Sequence, residues 1–460
     1  PGSNFNAHLI PFMDGGMNLD SKTGQMLAVM PCYGIDYDPN DDSLGEHVGS
    51  AYSAHNMSIL RNAGWDGMLC TDWLVLTQTD HGVANLTEPE RFAKLMKNSI
   101  SQHGGIFDPD IARESFELMK SDMGEDDALA QLQDNARRIF KAMITVDLFD
   151  QPYSDRSVAK DALESEAAAS FGEEAANKCV VMIKNKGGVI TEDGFSSKPK
   201  VYIPRKFVAA SKGMFGTTPA TADLCFGSEI ADSTFNYVTD ALGDPSGTDS
   251  DGAAAYQETD ITRLTAAELA DVKYAIVAVN NPTDAYQGVQ GGKPFNPTGG
   301  ADQAYDPAVY KPLSLQYRPY TADGDYVRKQ SLNPADEYGV YENRSVFGQS
   351  TYAKNESELD LVISIRQVLP ADAKLILLVT ADRPMCYGEI EPYADAILMG
   401  FGSSRSKIPD TAFANVITGA YEPSGLLSFQ MPKDMKTVME QDEDVPRDME
   451  CYVDSEGNTY

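Results

Sequence analysis

An acidic residue and an indole end a short apolar segment near the start of the chain. The segment reads Gly64-Trp65-Asp66-Gly67-Met68-Leu69-Cys70-Thr71-Asp72-Trp73, and its residues 68–70 are typical of a buried strand. Carboxylates act as nucleophiles or acid/base groups, and parallel barrels carry such groups at the carboxyl ends of strands. Asp72 is therefore a candidate catalytic residue, although an Asp that closes a strand is more often a turn former or a helix cap.

Short apolar runs and helical patterns alternate around this segment. Apolar residues 26–30 precede the helical pattern of residues 58–61 and the second apolar run at 67–71. Such alternation is typical of βα units that share a parallel sheet. A long helix is predicted over about 127–146, because apolar residues recur there at spacings of three and four. We expect its apolar stripe to pack onto a barrel; the stripe comprises Leu129, Leu132, Ala136, Ile139, Phe140 and Met143.

A break in the pattern follows this helix. Residues 147–157 are rich in Asp and contain Pro152, which cannot continue a helix. We therefore predict a first domain over 1–150, a linker over 151–170 and a second domain over 171–460.

The second domain has an α/β pattern of its own. Helices are predicted over 159–178 and 356–368, and strands over 180–183, 201–203, 274–279, 375–380 and 396–399. These strands are too apolar to face water on one side, so helices should cover both faces of a doubly wound sheet. Residues 280–350 have little periodicity and contain eight tyrosines, which favours an ordered loop that faces a ligand.

Composition excludes several classes of partner. The formal net charge is −32 and is spread along the chain, which argues against nucleic acid and against an anionic membrane surface. No apolar run reaches the roughly 18 residues of a membrane helix. The six cysteines include no CxxC pair and no two of the five histidines are four residues apart, so the sequence predicts no metal site and no cofactor. The compartment stays open, with a periplasmic or extracellular location favoured.

Several segments carry a resemblance to a known family. Gly67-Met68-Leu69-Cys70-Thr71-Asp72-Trp73 resembles the Gly-x-Val-x-Ser-Asp-Trp nucleophile signature of glycoside hydrolase family 3. Upstream, Ala28-Val29-Met30-Pro31-Cys32-Tyr33 is similar to the family's Val-Met-Pro-x-Tyr strand. Downstream, further segments follow in the family's order, among them Leu148-Phe149-Asp150, Asp382-Arg383-Pro384, Ala394-Asp395-Ala396-Ile397-Leu398 and Glu422-Pro423-Ser424-Gly425-Leu426-Leu427. The resemblance thus covers nearly the whole chain.

The resemblance implies a retaining, exo-acting β-glycosidase, most of all a β-glucosidase, that works through a covalent glycosyl-enzyme intermediate. Asp72 would be the nucleophile, and Trp73, Tyr33 and Met30 would contact the sugar of a glycoside or oligosaccharide. The family's acid/base is a glutamate on a loop of the second domain. Here the segment Asp336-Glu337-Tyr338-Gly339-Val340-Tyr341-Glu342-Asn343-Arg344-Ser345 favours Glu342, then Glu337.

One departure from the family limits this interpretation. The family's Lys-His strand motif is not found upstream of the tyrosine strand, and about 150 residues precede the linker where a full barrel needs roughly 250. The expected fold is therefore the C-terminal part of a (β/α)8 barrel followed by the sandwich domain. We expect a second polypeptide, or a cleaved N-terminal segment, to complete the barrel. A β-xylosidase and a non-catalytic carbohydrate-binding or scaffolding subunit remain alternatives.

Overall fold

A computed structural model describes residues 4–31, 34–36, 42–77, 81–213, 216–249, 252–283, 312–324, 347–402, 407–441, 445 and 447–460. They divide into two compact units, the first built mainly from the chain up to Lys160 and the second mainly from Asp161 onward. The α/β class predicted from the sequence is confirmed in both units.

The first unit alternates short strands with helices. Its regular elements are α1 (Phe5–Ile10), a π-helical turn (Pro11–Gly16), β1 (Ala28–Val29), α2 (Ala54–Asn62), β2 (Met68–Leu69), α3 (Glu88–Lys97), α4 (Pro109–Met123) and α5 (Glu125–Thr145). Side chains of Ser53, Thr87 and Asp108 cap α2, α3 and α4 at their N-termini by accepting backbone N–H bonds.

Three segments of the first unit run parallel. β1 pairs with β2, with Ala28 opposite Met68 and Val29 opposite Leu69. On the other side of β2, Cys70 forms a parallel bridge with Gln102, and Gln102 accepts the Thr71 N–H at 3.0 Å. Because α2 and α3 connect these segments, the order is that of consecutive βα units, as the sequence indicated.

The helices cover one face of these parallel segments. Trp65, Leu69, Leu95 and Met119 are buried in one cluster, and Trp65 Nε1 donates to the Met26 carbonyl at 2.7 Å. The opposite face is open in the part of the chain that the structure describes, where Met30 is 58% exposed.

The predicted apolar stripe of α5 is partly buried in the described residues, and its packing onto a barrel stays a prediction. Leu129, Leu132 and Phe140 are 44%, 39% and 54% exposed. The buried side of α5 is mixed: Ala128 packs in the apolar core, Asn135 donates to the Met96 carbonyl at 3.0 Å, and Arg138 pairs with the Asp66 carboxylate. Part of the predicted stripe therefore faces outward, whereas Ala136, Ile139 and Met143 are half-buried.

Two helices introduce the second unit, and the rest of its elements follow in chain order. They are α6 (Arg156–Leu163), α7 (Glu166–Lys178), β3 (Val181–Asn185), β4 (Lys200–Tyr202), β5 (Arg205–Val208), β6 (Ser211–Gly213), β7 (Gly216–Thr218), β8 (Thr221–Leu224), α8 (Ser228–Thr234), β9 (Asn236–Val238), β10 (Ala241–Leu242), β11 (Gly247–Thr248), β12 (Ala254–Ala255), β13 (Ile261–Thr262), β14 (Tyr274–Asn280), β15 (Tyr320–Thr321), β16 (Ser350–Thr351), α9 (Glu356–Val368), β17 (Lys374–Ala381), β18 (Ala396–Phe401), α10 (Asp410–Ile417) and α11 (Met435–Glu440).

A six-stranded sheet forms the centre of this unit, in the order β3-β18-β17-β14-β4-β9. All neighbours are parallel except β3, which pairs antiparallel with β18 at one edge. Successive residues of β17 enter opposite cores: Leu377 packs in the cluster that contains Val362 of α9, and Leu378 in the cluster that contains Phe413 of α10. Both faces of the sheet are therefore covered by helices.

The long helix predicted over 159–178 is two helices in the structure. The helix breaks at Glu164-Ser165, where the Ser165 side chain accepts the Ala168 N–H at 3.1 Å and caps α7. A serine at an N-cap offers the backbone a side-chain acceptor, which is why the chain can start a new helix there.

Candidate active site

Asp72 lies just beyond the carboxyl end of β2. It follows two residues after Cys70, which bridges to Gln102 on the neighbouring segment. The side chain is half-buried, and its Oδ1 accepts the backbone N–H of Trp73 at 2.6 Å. A backbone donor stabilises the ionised form of a carboxyl group, which is the form that a nucleophile requires.

The parallel register places three side chains on the open face beside Asp72. Because Val29 pairs with Leu69, Met30 is next to Cys70, and Cys70 is opposite Gln102. Burial first, and then the negative charge of Asp72, raise the pKa of the Cys70 thiol. The thiol is therefore protonated at neutral pH, so the Cys70 side chain near the Asp72 carboxylate is uncharged.

Trp73 extends its indole into solvent and is 69% exposed. Exposure of this kind is shared by other aromatic side chains of the chain, such as Phe107 and Phe171, but the flat indole beside Asp72 offers an apolar face on which a ligand could stack. Met30, which is also exposed, offers a flexible apolar side chain at the end of β1. Among the predicted substrate residues, the structure thus brings Trp73 and Met30 to the neighbourhood of Asp72.

The other predicted site residues fall outside the described part of the chain. Tyr33, Glu337 and Glu342 are in this group, so their distances to Asp72 stay predictions. The stem of the loop that carries the two glutamates is described, however. Tyr320 pairs with Thr351 and Thr321 with Ser350, so residues 322–349 leave and return through one antiparallel ladder.

Buried hydrogen bonds fix this stem within the second unit. The Tyr317 hydroxyl donates to the Asn280 carbonyl at 2.5 Å. The Glu389 carboxylate accepts the backbone N–H groups of Tyr317 at 2.6 Å and of Arg318 at 3.1 Å, while burial raises its pKa. The stem is thereby anchored to the carboxyl end of β14.

Sequence reasoning missed the residues on the segment that follows α3. His103 stacks on Phe92 at a centroid distance of 3.9 Å, and burial lowers its pKa to about 4. The next two residues, Gly104 and Gly105, contact the backbone of Asp72 and the ring of Trp73. The only signal in the sequence was a Gly-Gly pair directly after the polar residues Ser101-Gln102-His103, a pattern that by itself indicates an ordinary turn.

A cavity of about 510 Å³ lies in the first unit between α1, α2 and β1. Its lining is mostly apolar and includes Phe12, Met30 and Leu60, with Asp36 and Asn56 as polar members. Asn56 donates to the Asp36 carboxylate and, at 3.2 Å, to Ser50 Oγ. The Asn56 Oδ1 atom, in contrast, is buried without a hydrogen-bond partner among the described residues.

Among the described residues, no group of three or more His, Cys, Asp or Glu side chains is arranged to hold a metal ion. None of the helices in the described ranges is both long enough and apolar enough to cross a membrane.

Comparison with curated proteins finds β-glucosidases. The chain is 22% identical over 463 residues to a probable β-glucosidase C of Aspergillus oryzae, covering 97% of this chain and 52% of that protein. It is also 22% identical to β-glucosidase C of Emericella nidulans, with 98% and 54% covered. A shorter match, 23% identical over 161 residues, covers 30% of this chain and 24% of a periplasmic β-glucosidase/β-xylosidase of Dickeya chrysanthemi. The chain thus spans about half the length of the first two relatives.

Solved structures of β-glucosidases have a similar fold. A β-glucosidase from Erythrobacter marinus superposes with a TM-score of 0.56 at 13% identity, covering 94% of this chain and 50% of that one. A β-glucosidase from Listeria innocua in complex with isofagomine gives a TM-score of 0.53 at 13% identity, with 99% and 61% covered. No family model matches the sequence. The relatives confirm the resemblance stated from the motifs, and the structures confirm the α/β fold.

Proposed function

Because the chain is similar over nearly its whole length to β-glucosidases of the glycoside hydrolase family 3 type, we propose that it carries the nucleophile of a retaining, exo-acting β-glucosidase. The observation that supports this most directly is the position of Asp72. Its carboxylate lies beyond a parallel strand end, accepts the Trp73 N–H, and stands beside an exposed indole. That is the arrangement expected of a nucleophile with a sugar-stacking neighbour.

The proposed reaction is a double displacement. Asp72 attacks the anomeric carbon while a glutamic acid protonates the departing glycosidic oxygen, so that the bond to the aglycone breaks as the bond to Asp72 forms. The same glutamate, now ionised, takes a proton from water, which attacks the anomeric carbon and releases the sugar and a free Asp72 carboxylate. Glu342 is our first candidate for the acid/base and Glu337 the second. The two carboxyl groups of a retaining pair lie about 5–5.5 Å apart.

The substrate is proposed to be a terminal β-linked glucoside. The flat indole of Trp73 suits the apolar face of a pyranose, and Met30 and Tyr33 would extend that contact. A β-xyloside is the second candidate, because one relative is named both a β-glucosidase and a β-xylosidase. Comparing kcat/KM for 4-nitrophenyl β-glucoside and β-xyloside separates the two.

We also propose that the first unit is the C-terminal part of a (β/α)8 barrel whose remaining strands come from other residues, either a second polypeptide or a further segment of the same protein. Two observations support this. Met30 is 58% exposed at the end of β1, and α5 exposes Leu129, Leu132 and Phe140. The missing strands and helices of a complete barrel would cover apolar side chains of this kind.

Native mass spectrometry of the active protein, purified from its source, tests this part of the proposal. We expect the active species to carry additional polypeptide. A monodisperse, active sample with the mass of this chain alone would refute it.

Replacement of Asp72 by Asn tests the nucleophile. The amide cannot form the ester intermediate, so kcat should fall by at least about 1,000-fold, while glycoside binding persists. Asp110→Asn is the matched control, since Asp110 is an exposed carboxylate of the same unit that pairs only with Arg113 in the ion pairs described, and it should keep full turnover. Wild-type-like turnover of Asp72→Asn would eliminate the proposal. A wild-type protein that binds glycosides without cleaving them would instead identify the non-catalytic subunit.

A further inference from the structure

Gly104, on the neighbouring segment, makes two hydrogen bonds to the turn that carries Asp72. Its N–H donates to the Thr71 hydroxyl at 2.8 Å, and its carbonyl accepts the Leu74 N–H at 3.1 Å. Between these bonds the backbone of Gly104 faces the Asp72 peptide directly. A Cβ on Gly104 would lie 2.7 Å from the Asp72 carbonyl oxygen and 2.8 Å from its carbonyl carbon. Only a residue without a side chain fits this position.

The next residue, Gly105, lies against the indole of Trp73. Gly105 has a φ of +68°, a conformation that residues with side chains rarely adopt. A Cβ there would lie 2.6 Å from Cε3 of Trp73 and 3.5 Å from Cδ2 of Leu74. The Trp73 indole therefore packs directly against the backbone of Gly105.

An independent observation at the same turn is backbone strain at Leu74. Its φ is +62°, in the left-handed region, which costs a residue with a side chain about 1–2 kcal/mol. The conformation is held by the bond from the Leu74 N–H to Gly104 and by the N–H and hydroxyl of Thr77, both of which donate to the Leu74 carbonyl. Strain that is held in place by surrounding bonds is common at functional sites.

We propose that Gly104 and Gly105, together the glycine cradle, are positioning residues for the proposed hydrolysis: Gly104 sets the position of the Asp72 carboxylate, and Gly105 sets that of the Trp73 indole. The inference rests on the proposed function of Asp72 as nucleophile. Because a misplacement of about 1 Å at a reacting group can cost roughly 100-fold in rate, a methyl group in the glycine cradle should lower the rate of the chemical step.

The two glycines should have different kinetic effects, because their neighbours differ. The atoms that face Gly104 are backbone of Thr71 and Asp72, which cannot yield without moving the nucleophile. The atoms that face Gly105 belong mostly to the exposed Trp73 side chain, which can rotate away. Gly104→Ala should therefore lower the maximal rate of glycosyl-enzyme formation by about 10–100-fold. The donor concentration that gives half of this rate should change little. Gly105→Ala should raise KM by about 10-fold with a smaller loss of rate, since it displaces a binding surface.

Matched controls exist for both variants in the same unit. Gly15→Ala adds a methyl group at an ordinary φ with no atom within 4 Å, as a control for Gly104→Ala. Gly124→Ala adds one at a φ of +90° with no atom within 4 Å, so it reproduces the backbone strain of Gly105→Ala without its contact.

The kinetic experiment uses the intact protein and a 2-deoxy-2-fluoro-β-glucosyl donor with a good leaving group. It records the maximal rate of covalent enzyme formation and the donor concentration that gives half of that rate. A second readout does not need turnover. The chain has two tryptophans, of which Trp65 is 2% exposed and Trp73 69% exposed, so iodide quenches mainly Trp73. Gly105→Ala should change this quenching and Gly124→Ala should not.

The inference is overturned if Gly104→Ala forms the covalent enzyme as fast as Gly15→Ala. It is also overturned if both cradle variants change the maximal rate and the half-saturating donor concentration in the same way, in proportion to a loss of thermal stability. If Gly104→Ala does not fold, Thr71→Val replaces it, because that change removes the acceptor of the Gly104 N–H without adding bulk. Thr71→Val should lower the rate and Thr71→Ser should restore it; equal rates would again overturn the inference. A wild-type protein that forms no covalent enzyme would refute the proposed function instead, and unchanged iodide quenching in Gly105→Ala would then refute the role of the cradle separately.

Discussion

The carboxyl ends of the strands are treated differently in the two units. In the second unit, Asp240 follows β9 with a fully buried side chain that accepts bonds from the Tyr202 hydroxyl at 2.6 Å and from Arg263 at 2.6 Å. Near the end of β14, the Glu358 carboxylate is likewise engaged by the Asn280 amide groups. In the first unit, Asp72 and the indole of Trp73 remain accessible.

This difference separates structural from chemical carboxylates. A buried carboxylate surrounded by donors is costly to disturb, because its partners are left unsatisfied, and it has no room for a substrate. A half-buried carboxylate beside an exposed aromatic ring costs little stability and can react. Removing carboxylates in the two units should therefore damage different properties of the protein.

The largest effect on stability is expected at Asp240. Asp240→Ala leaves the Arg263 guanidinium and the Tyr202 hydroxyl without their buried acceptor, and should lower the free energy of unfolding by about 3–5 kcal/mol. Urea denaturation followed by circular dichroism measures this loss. Asp372→Ala, which removes an exposed partner of Lys273, should change stability by less than about 0.5 kcal/mol. Equal effects of the two variants would show that the contrast between buried and exposed carboxylates does not hold.

The next effect concerns the acid/base candidates. Glu342→Gln should lower kcat/KM for alkyl β-glucosides by about 100-fold and spare 2,4-dinitrophenyl β-glucoside, whose leaving group needs no proton. Glu337→Gln serves as the comparison and should affect both substrates little. The reverse pattern would assign the acid/base role to Glu337, and no selective loss in either variant would remove both from the mechanism.

A smaller effect should appear in the pH dependence of stability. The folded-state pKa of His103 is about 4, below the value near 6.5 of an unfolded histidine, because the ring is buried against Phe92. Between these values the unfolded chain binds a proton that the folded chain does not. The contribution of His103 is therefore complete above pH 6.5 and declines as the pH falls to 4, by roughly 2–3 kcal/mol.

Chemical denaturation of the wild type and of His103→Gln at pH 4.5 and pH 7 checks this expectation. The variant should lose part of the difference in stability between the two pH values. The same difference in both proteins would show that His103 is not the group responsible.

Local pattern was sufficient for much of the second unit. The helix predicted over 356–368 has the same bounds in the structure, and the strands predicted over 274–279 and 375–380 are each longer by one or two residues. These elements combine apolar runs or clear periodicity with nearby helix and turn signals, so the residues themselves specify them. The domain limits at 150 and 170 stay predictions.

The sequence by itself determined that Asp72 closes an apolar strand next to an indole, because both facts are local. Tertiary structure alone decided that β3 is antiparallel, that Phe140 of α5 is exposed, and that Gly104 abuts the Asp72 peptide. Each of these depends on which distant segments meet in the folded chain, and no local sequence pattern contains that information. The chain specifies its candidate nucleophile locally, but the position of that carboxylate is set by a segment thirty residues away.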